Sequence, residues 1–191
     1  MDLENKPVND GKNMTPLNRP HFLLLMPLLL FALIFGAVSC QRQAAEDFGI
    51  YLLVEDRPAT QLAESDLNTI ELQEQPVIGI NDIVSYDRNS HGMQLSEAAY
   101  RRVQELFPLP VRMDGIPFVV RVGDEPIYAG AFWTPLSSLS YDGVIILQPF
   151  GDEEKKIGLA LGYPGRLAFT GEYPRGDTRI IEALGKAGKL E

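Results

Sequence analysis

Gly115-Ile116-Pro117-Phe118-Val119-Val120-Arg121-Val122 runs into Gly123-Asp124-Glu125-Pro126 and on through Ile127-Tyr128-Ala129-Gly130-Ala131-Phe132-Trp133. Two runs rich in β-branched and aromatic residues, parted by Gly, Asp and Pro, predict strand, turn and strand. Side chains alternate along a strand, so Phe118, Val120 and Val122 share one face, with Val119 and Arg121 on the other. By the same rule Tyr128 and Phe132 face one way and Trp133 the other, so at least one side of this ribbon is buried.

Downstream, Ser137-Ser138-Leu139-Ser140 reads as a loop. Val144-Ile145-Ile146-Leu147 is too continuously apolar for a half-exposed strand and belongs at a sheet centre. Gly151-Asp152-Glu153-Glu154-Lys155-Lys156 is a charged turn. Ile157–Tyr163 and Arg166–Phe169 predict a weaker hairpin around Pro164-Gly165. Asp177 caps a last helix whose buried stripe is Ile180, Ile181 and Leu184, fraying at Gly185 and Gly188.

Upstream, Ser96 is an N-cap and Glu97 sits in the first turn, where the helix dipole favours a carboxylate. Ala99, Tyr100, Val103, Leu106 and Phe107 fall at helical spacing on one face, and Pro108 and Pro110 end the helix. Ile83–Tyr86 and Met93–Leu95 flank Asp87-Arg88-Asn89-Ser90-His91-Gly92, which predicts a β-hairpin. Phe48–Val54 reads as the first strand, Leu67–Leu72 as a strand by alternation, and Val77–Ile80 as a short apolar piece reaching an Asn81-Asp82 turn or cap. Strands mixed with two helices give the α+β class, a mixed or antiparallel sheet carrying two helices.

The 17 basic and 26 acidic residues leave a net charge of -9. Lys6, Lys12 and Arg19 balance Asp2, Glu4 and Asp10, so the whole excess lies beyond His21. That argues against nucleic acid, which selects a basic face, and against lying flat on anionic lipid. Its plain consequence is solubility. A domain near 150 residues buries roughly 68–70% of its unfolded surface and stands without disulfides. With one cysteine it has none.

That cysteine closes an uncharged run, Phe22 to Val38, which follows Arg19. A basic start, an apolar middle and small residues at the end describe an export signal. The order Ala37-Val38-Ser39-Cys40 resembles the lipobox of bacterial lipoproteins, with Ala37 where that family usually has Leu or Val. The resemblance implies a signal peptide over 1–39, acylation of the Cys40 thiol, and Cys40 as the new N-terminus. Residues 40–47 are then a lipidated cysteine and tether, and 48–191 a single domain on the extracytoplasmic side of a bacterial membrane. The alternative is an uncleaved anchor, although the run sits at the lower limit of about 17 residues for a span and contains Pro27. Met14 offers a second start, giving a leader of ordinary length.

Residues 81 to 133, with Asp82-Ile83, Leu95-Ser96-Glu97-Ala98-Ala99 and Phe118–Ile127, are similar in order to the extracytoplasmic head of the SecD translocase subunit. That similarity implies a short strand, a helix and a hairpin in a ferredoxin-like arrangement, and no translocation role is carried over with it. The chain also resembles uncharacterised bacterial lipoproteins, which supplies a location and no activity.

Two sets of residues invite chemistry. Asp82, Asp87 and His91 are close enough in sequence for a metal or acid–base site, the rival reading as a hydrolase, but a metal needs three or four convergent ligands and turn capping is their commoner use. Tyr128, Phe132, Trp133 and Tyr141 suit a contact surface, aromatic residues being frequent hot spots, although alternation favours the core. Ser137, Ser138 and Ser140 lack a Gly-x-Ser-x-Gly elbow, and phosphate-loop and dinucleotide fingerprints are missing. The expectation is a non-enzymatic binding or scaffolding module without cofactor, held to the membrane through Cys40 and serving an envelope protein.

Overall fold

The computed structural model describes residues 48–62, 65–151 and 154–191, all within one of the chain's two units, Gln41–Glu191. The leader, Cys40 and the tether lie outside the described residues. Eight strands form one sheet: β1 (Phe48–Leu52), β2 (Ile78–Gly79), β3 (Ile83–Asp87), β4 (Gly92–Leu95), β5 (Ile116–Val122), β6 (Glu125–Trp133), β7 (Tyr141–Leu147) and β8 (Lys156–Tyr163). Their order across the sheet is β2-β1-β5-β6-β7-β8-β4-β3. With α1 (Glu97–Glu105) and α2 (Thr178–Lys186) the class is α+β, as the sequence implies.

The central ribbon pairs antiparallel, with Val119 opposite Ala129 and Phe118 opposite Gly130. Its alternation holds on both sides. Phe118, Val120, Tyr128 and Phe132 join the main core. Val119 and Ala129 join one outer cluster, and Ala131 and Trp133 another.

Both helices cover the inner face. Ser96 accepts from the Ala99 amide at 3.2 Å, which satisfies an otherwise orphaned donor of α1. Ala99, Tyr100 and Val103 then bury against the sheet. Asp177 caps α2 through the Arg179 amide at 2.9 Å, and Ile180, Ala183 and Leu184 bury. Gly188, at φ +68, ends α2: its amide reaches the Gly185 carbonyl and the Lys189 amide the Leu184 carbonyl, the paired bonds of a Schellman stop. The chain then bridges β3 in parallel, Leu190 beside Tyr86.

Several segments differ from the sequence reading. Leu67–Thr69 is a 3-10 turn, and only Leu72 bridges back, to Leu53. Asp66 turns that segment by accepting from the Asn68 amide. Arg166–Ala168 is also a 3-10 turn, so β8 pairs with β7 and β4 instead of forming a hairpin with 166–169. The stretch 81–133 does run strand, helix, hairpin, yet β7 and β8 stand between its two halves in the sheet.

β6 and β7 are parallel, with Gly130 beside Val144 and Trp133 beside Leu147. Parallel neighbours normally need a crossover of about a dozen residues or more, usually with a helix. Here residues 134–140 make the crossing without a helix, over the outer face.

Candidate functional site

Asp82, Asp87 and His91 do not share a partner. Asp82 belongs to a 3-10 turn, Ile80–Asp82, and its Oδ2 accepts from the Gly79 amide at 2.9 Å and from Arg102 Nη2 at 2.6 Å. Asp87 ties its own turn, accepting from the Asn89 amide at 2.8 Å and from Ser90 Oγ at 2.7 Å. Those bonds hold its carboxyl below the usual carboxylate range. His91 is buried, with Nδ1 2.7 Å from the Tyr86 hydroxyl. Among the described residues no group of three or more His, Cys, Asp or Glu side chains is arranged to hold a metal ion.

Tyr128, Phe132, Trp133 and Tyr141 are all buried, the core placement that alternation favours, so they do not form the contact surface offered as the other use of these four residues. Tyr128 and Phe132 lie in the inner core, where Phe132 meets Phe118 edge-on at 5.1 Å. Trp133 stacks on Tyr141 at 5.1 Å on the outer face, beneath the 134–140 crossing, with Tyr163 at 5.8 Å. Burial pushes the Tyr128 phenol well above its ordinary range and the Tyr141 phenol up to about 12, so both stay protonated. Ser137 serves the fold: its hydroxyl donates to the Met113 carbonyl at 2.7 Å and accepts from the Leu139 amide.

The surface feature best suited to a ligand lies beside β2. A groove of ≈ 590 Å³ is lined by Phe48, Tyr51, Pro76, Gly79 and Ile80 together with Glu74, Gln75, Asn81, Asp82 and Arg102. Arg102 reaches it from α1, donating through Nε to the Val77 carbonyl at 3.3 Å and through Nη2 to Asp82. The Val77 carbonyl and the Gly79 amide are thus occupied by side chains. An incoming strand would find that edge already satisfied, the usual protection of an exposed sheet edge. Glu74, Gln75 and Asn81 stand exposed around the groove. A second hollow of ≈ 240 Å³ is lined by residues including Leu67, Leu72 and Arg121. The Arg121 guanidinium sits 5.2 Å over the Tyr51 ring, joining the walls of the two hollows. This arrangement offers mixed donors and acceptors on an irregular surface. It suits recognition of a polar partner rather than strand addition.

The sequence reading missed what covers His91. The Tyr173 ring lies 5.5 Å from the imidazole, and the Arg175 guanidinium lies 4.6 Å over Tyr173. Arg175 donates to the Tyr173 hydroxyl and to the Leu159 carbonyl. Burial first, and then the Arg175 charge, hold the imidazole below its usual value, opposed by Asp87. No local pattern in Tyr173-Pro174-Arg175-Gly176 announces a partner on β8. The one available signal was a lone histidine following an apolar strand.

Among the described residues no helix is long and apolar enough to cross a membrane. Comparison of the chain with protein-family models, with curated proteins and with solved structures finds no match.

Proposed function

We propose that the chain is a membrane-tethered extracytoplasmic lipoprotein whose domain acts as a binding or scaffolding module, without catalysis, for an envelope partner. The reading rests on one observation: a lone cysteine stands directly after small residues that close an uncharged apolar run. Acyl chains on that thiol hold by about 0.8 kcal/mol per buried methylene, and two or three of them anchor stably. The groove beside β2 is the contact surface this reading assigns. Its support is the ring of exposed polar side chains there, together with the separate structural commitments of Asp82, Asp87 and His91.

The test is Cys40→Ala in the full chain. The variant keeps a folded domain and leaves the detergent phase, while the wild-type mature product carries an acylated cysteine by mass spectrometry. Partitioning unchanged by the substitution favours the uncleaved anchor instead. Crosslinking in membranes with a photoreactive group at Asn81 then recovers a specific partner, lost when Glu74 and Gln75 are both replaced by alanine. Repeated recovery of nothing removes the binding assignment.

A further inference from the structure

We propose that residues 171–176 form a pH-sensitive latch, closed over neutral His91 and released when the imidazole takes a second proton from solvent. His91 is built into the fold in an unusual way. Its backbone is left-handed, at φ 55, and its side chain is only 5% exposed. Non-glycine residues adopt that conformation sparingly, and a buried titratable ring is an added burden. The imidazole neighbours two tyrosines, with ring centroids 6.1 Å away for Tyr86 and 5.5 Å for Tyr173.

One backbone unit joins the ring's segment to the latch. The Leu159 amide donates to the His91 carbonyl at 3.1 Å, and the Leu159 carbonyl accepts from Arg175. The latch itself is lightly supported. Tyr173 is 53% exposed, and Gly171, Glu172 and the 3-10 turn Pro174–Gly176 contribute no buried side chain. Firm pins stand on either side: the Thr170 amide donates to Asp142 at 2.8 Å, and Asp177 caps α2. The segment between them can swing out without unwinding the helix, with Gly171 and Gly176 next to the two pins.

The charge balance sets the direction. Tyr86 and Asp87 face the imidazole from its own hairpin, Tyr173 and Arg175 from the latch, and β8 brings the Leu159 backbone. Tyr128 of β6 shares the inner core with Tyr86 and lies within electrostatic reach of Tyr86, Arg175 and Asp177. Burial pushes the Tyr86 phenol up to about 12, so it stays neutral and shares one hydrogen bond with Nδ1 at 2.7 Å. The new proton goes to whichever ring nitrogen lacks one, and the ring then has N–H groups at both positions. Protonation places a positive charge on a buried ring beside the Arg175 guanidinium, where burial and like charge both oppose it. Asp87 opposes the effect weakly, because its oxygens already serve Asn89 and Ser90. The neutral ring thus favours the closed state, and the cation favours release of Arg175 and Tyr173.

Hydrogen exchange of the full chain in detergent, read by mass spectrometry and corrected for intrinsic rate, tests this between about pH 7.5 and about pH 5, either side of the ordinary imidazole value. Peptides reporting the Asp177 amide, which donates to the Pro174 carbonyl of the latch at 3.2 Å, lose protection in acid while β5 keeps its own. His91→Asn, which tolerates a left-handed backbone and does not titrate here, abolishes the pH response. Should that variant fail to fold, the wild type decides through NMR. His91 is the sole histidine of residues 48–191, and its ring titration should coincide with the loss of protection. Protection of the Asp177 amide that ignores pH, falls equally in His91→Asn, or changes at a pH unrelated to the His91 titration overturns the latch.

Discussion

The two faces of the sheet are both buried, but by different means. The inner face packs against α1 and α2, whose apolar stripes repeat at helical spacing. The outer face is covered by the 3-10 turns at Ala59–Leu62 and Leu67–Thr69 and by the crossing at 134–140. Helices satisfy their own backbone, so the inner cover needs polar side chains only at its caps. The outer cover needs them throughout. Ser137 holds the Met113 carbonyl, Thr134 Oγ1 donates to Gln148 Oε1 at 2.8 Å, and the Tyr163 hydroxyl donates to the Pro135 carbonyl at 2.9 Å. Periodic cover is held by burial, and irregular cover by burial plus a set of specific hydrogen bonds.

That contrast predicts unequal responses to truncation. Phe118 is fully buried against both helices' core, and Phe118→Ala should cost about 3–5 kcal/mol. Leu62 is also buried, but under a short surface turn that can settle into the space it leaves. Leu62→Ala should fall at the lower end of the large-to-small range, about 2 kcal/mol. Urea unfolding measures both. Equal losses would mean that the outer cover is as rigid as the inner one.

Adding a methyl group probes the same difference with a smaller effect. A Cβ at Gly130 would lie 2.4 Å from the Phe118 ring and 2.6 Å from the Val144 carbonyl. Both neighbours are fixed, so Gly130→Ala should destabilise by about 1–3 kcal/mol, the usual range for overpacking. Gly158 has nothing within 4 Å of the corresponding position, on the exposed side of β8. Gly158→Ala should be neutral or slightly stabilising, because it narrows the unfolded ensemble. A similar loss at both sites, read from thermal melts, would show that the cover over β8 extends further than the packing indicates.

What was legible in the sequence follows the same division. The faces of Phe118, Val119, Val120, Tyr128, Phe132 and Trp133 come straight from alternation, and both helices with their caps come from periodicity and Ser96 or Asp177. The outer cover was misread because Leu67, Thr69 and Glu71 alternate with Asn68, Ile70 and Leu72 as a strand would, and the Asp66 side chain decides otherwise. The parallel placement of β7 was invisible, since nothing in 134–140 marks a crossing rather than a hairpin loop. The groove was half visible. Asp82 was singled out, but its partner Arg102 lay on the polar side of α1, where a charge reads as solvated. Arg175 was hidden for the same reason that loops resist sequence reading: its partner on β8 is set by the fold.

The smallest effect separates the two helix caps within the inner cover. Each cap accepts a backbone donor, so Ser96→Ala and Asp177→Ala should each cost about 1 kcal/mol at neutral pH. Their chemistry differs in acid. The Arg179 side-chain hydrogen bond, helped by its amide and its charge, holds the Asp177 carboxyl below its ordinary value of 3.8 against the opposing effect of burial. A depressed folded value means the unfolded chain binds the proton first, so this contribution is present above the unfolded value and is lost as pH falls through the folded one. The serine hydroxyl does not titrate. The Asp177→Ala penalty should therefore shrink below about pH 4 while the Ser96→Ala penalty stays constant, as denaturant midpoints at neutral and acid pH will show. A penalty at Asp177 that persists in acid would assign its role to packing, and the two caps would then be equivalent.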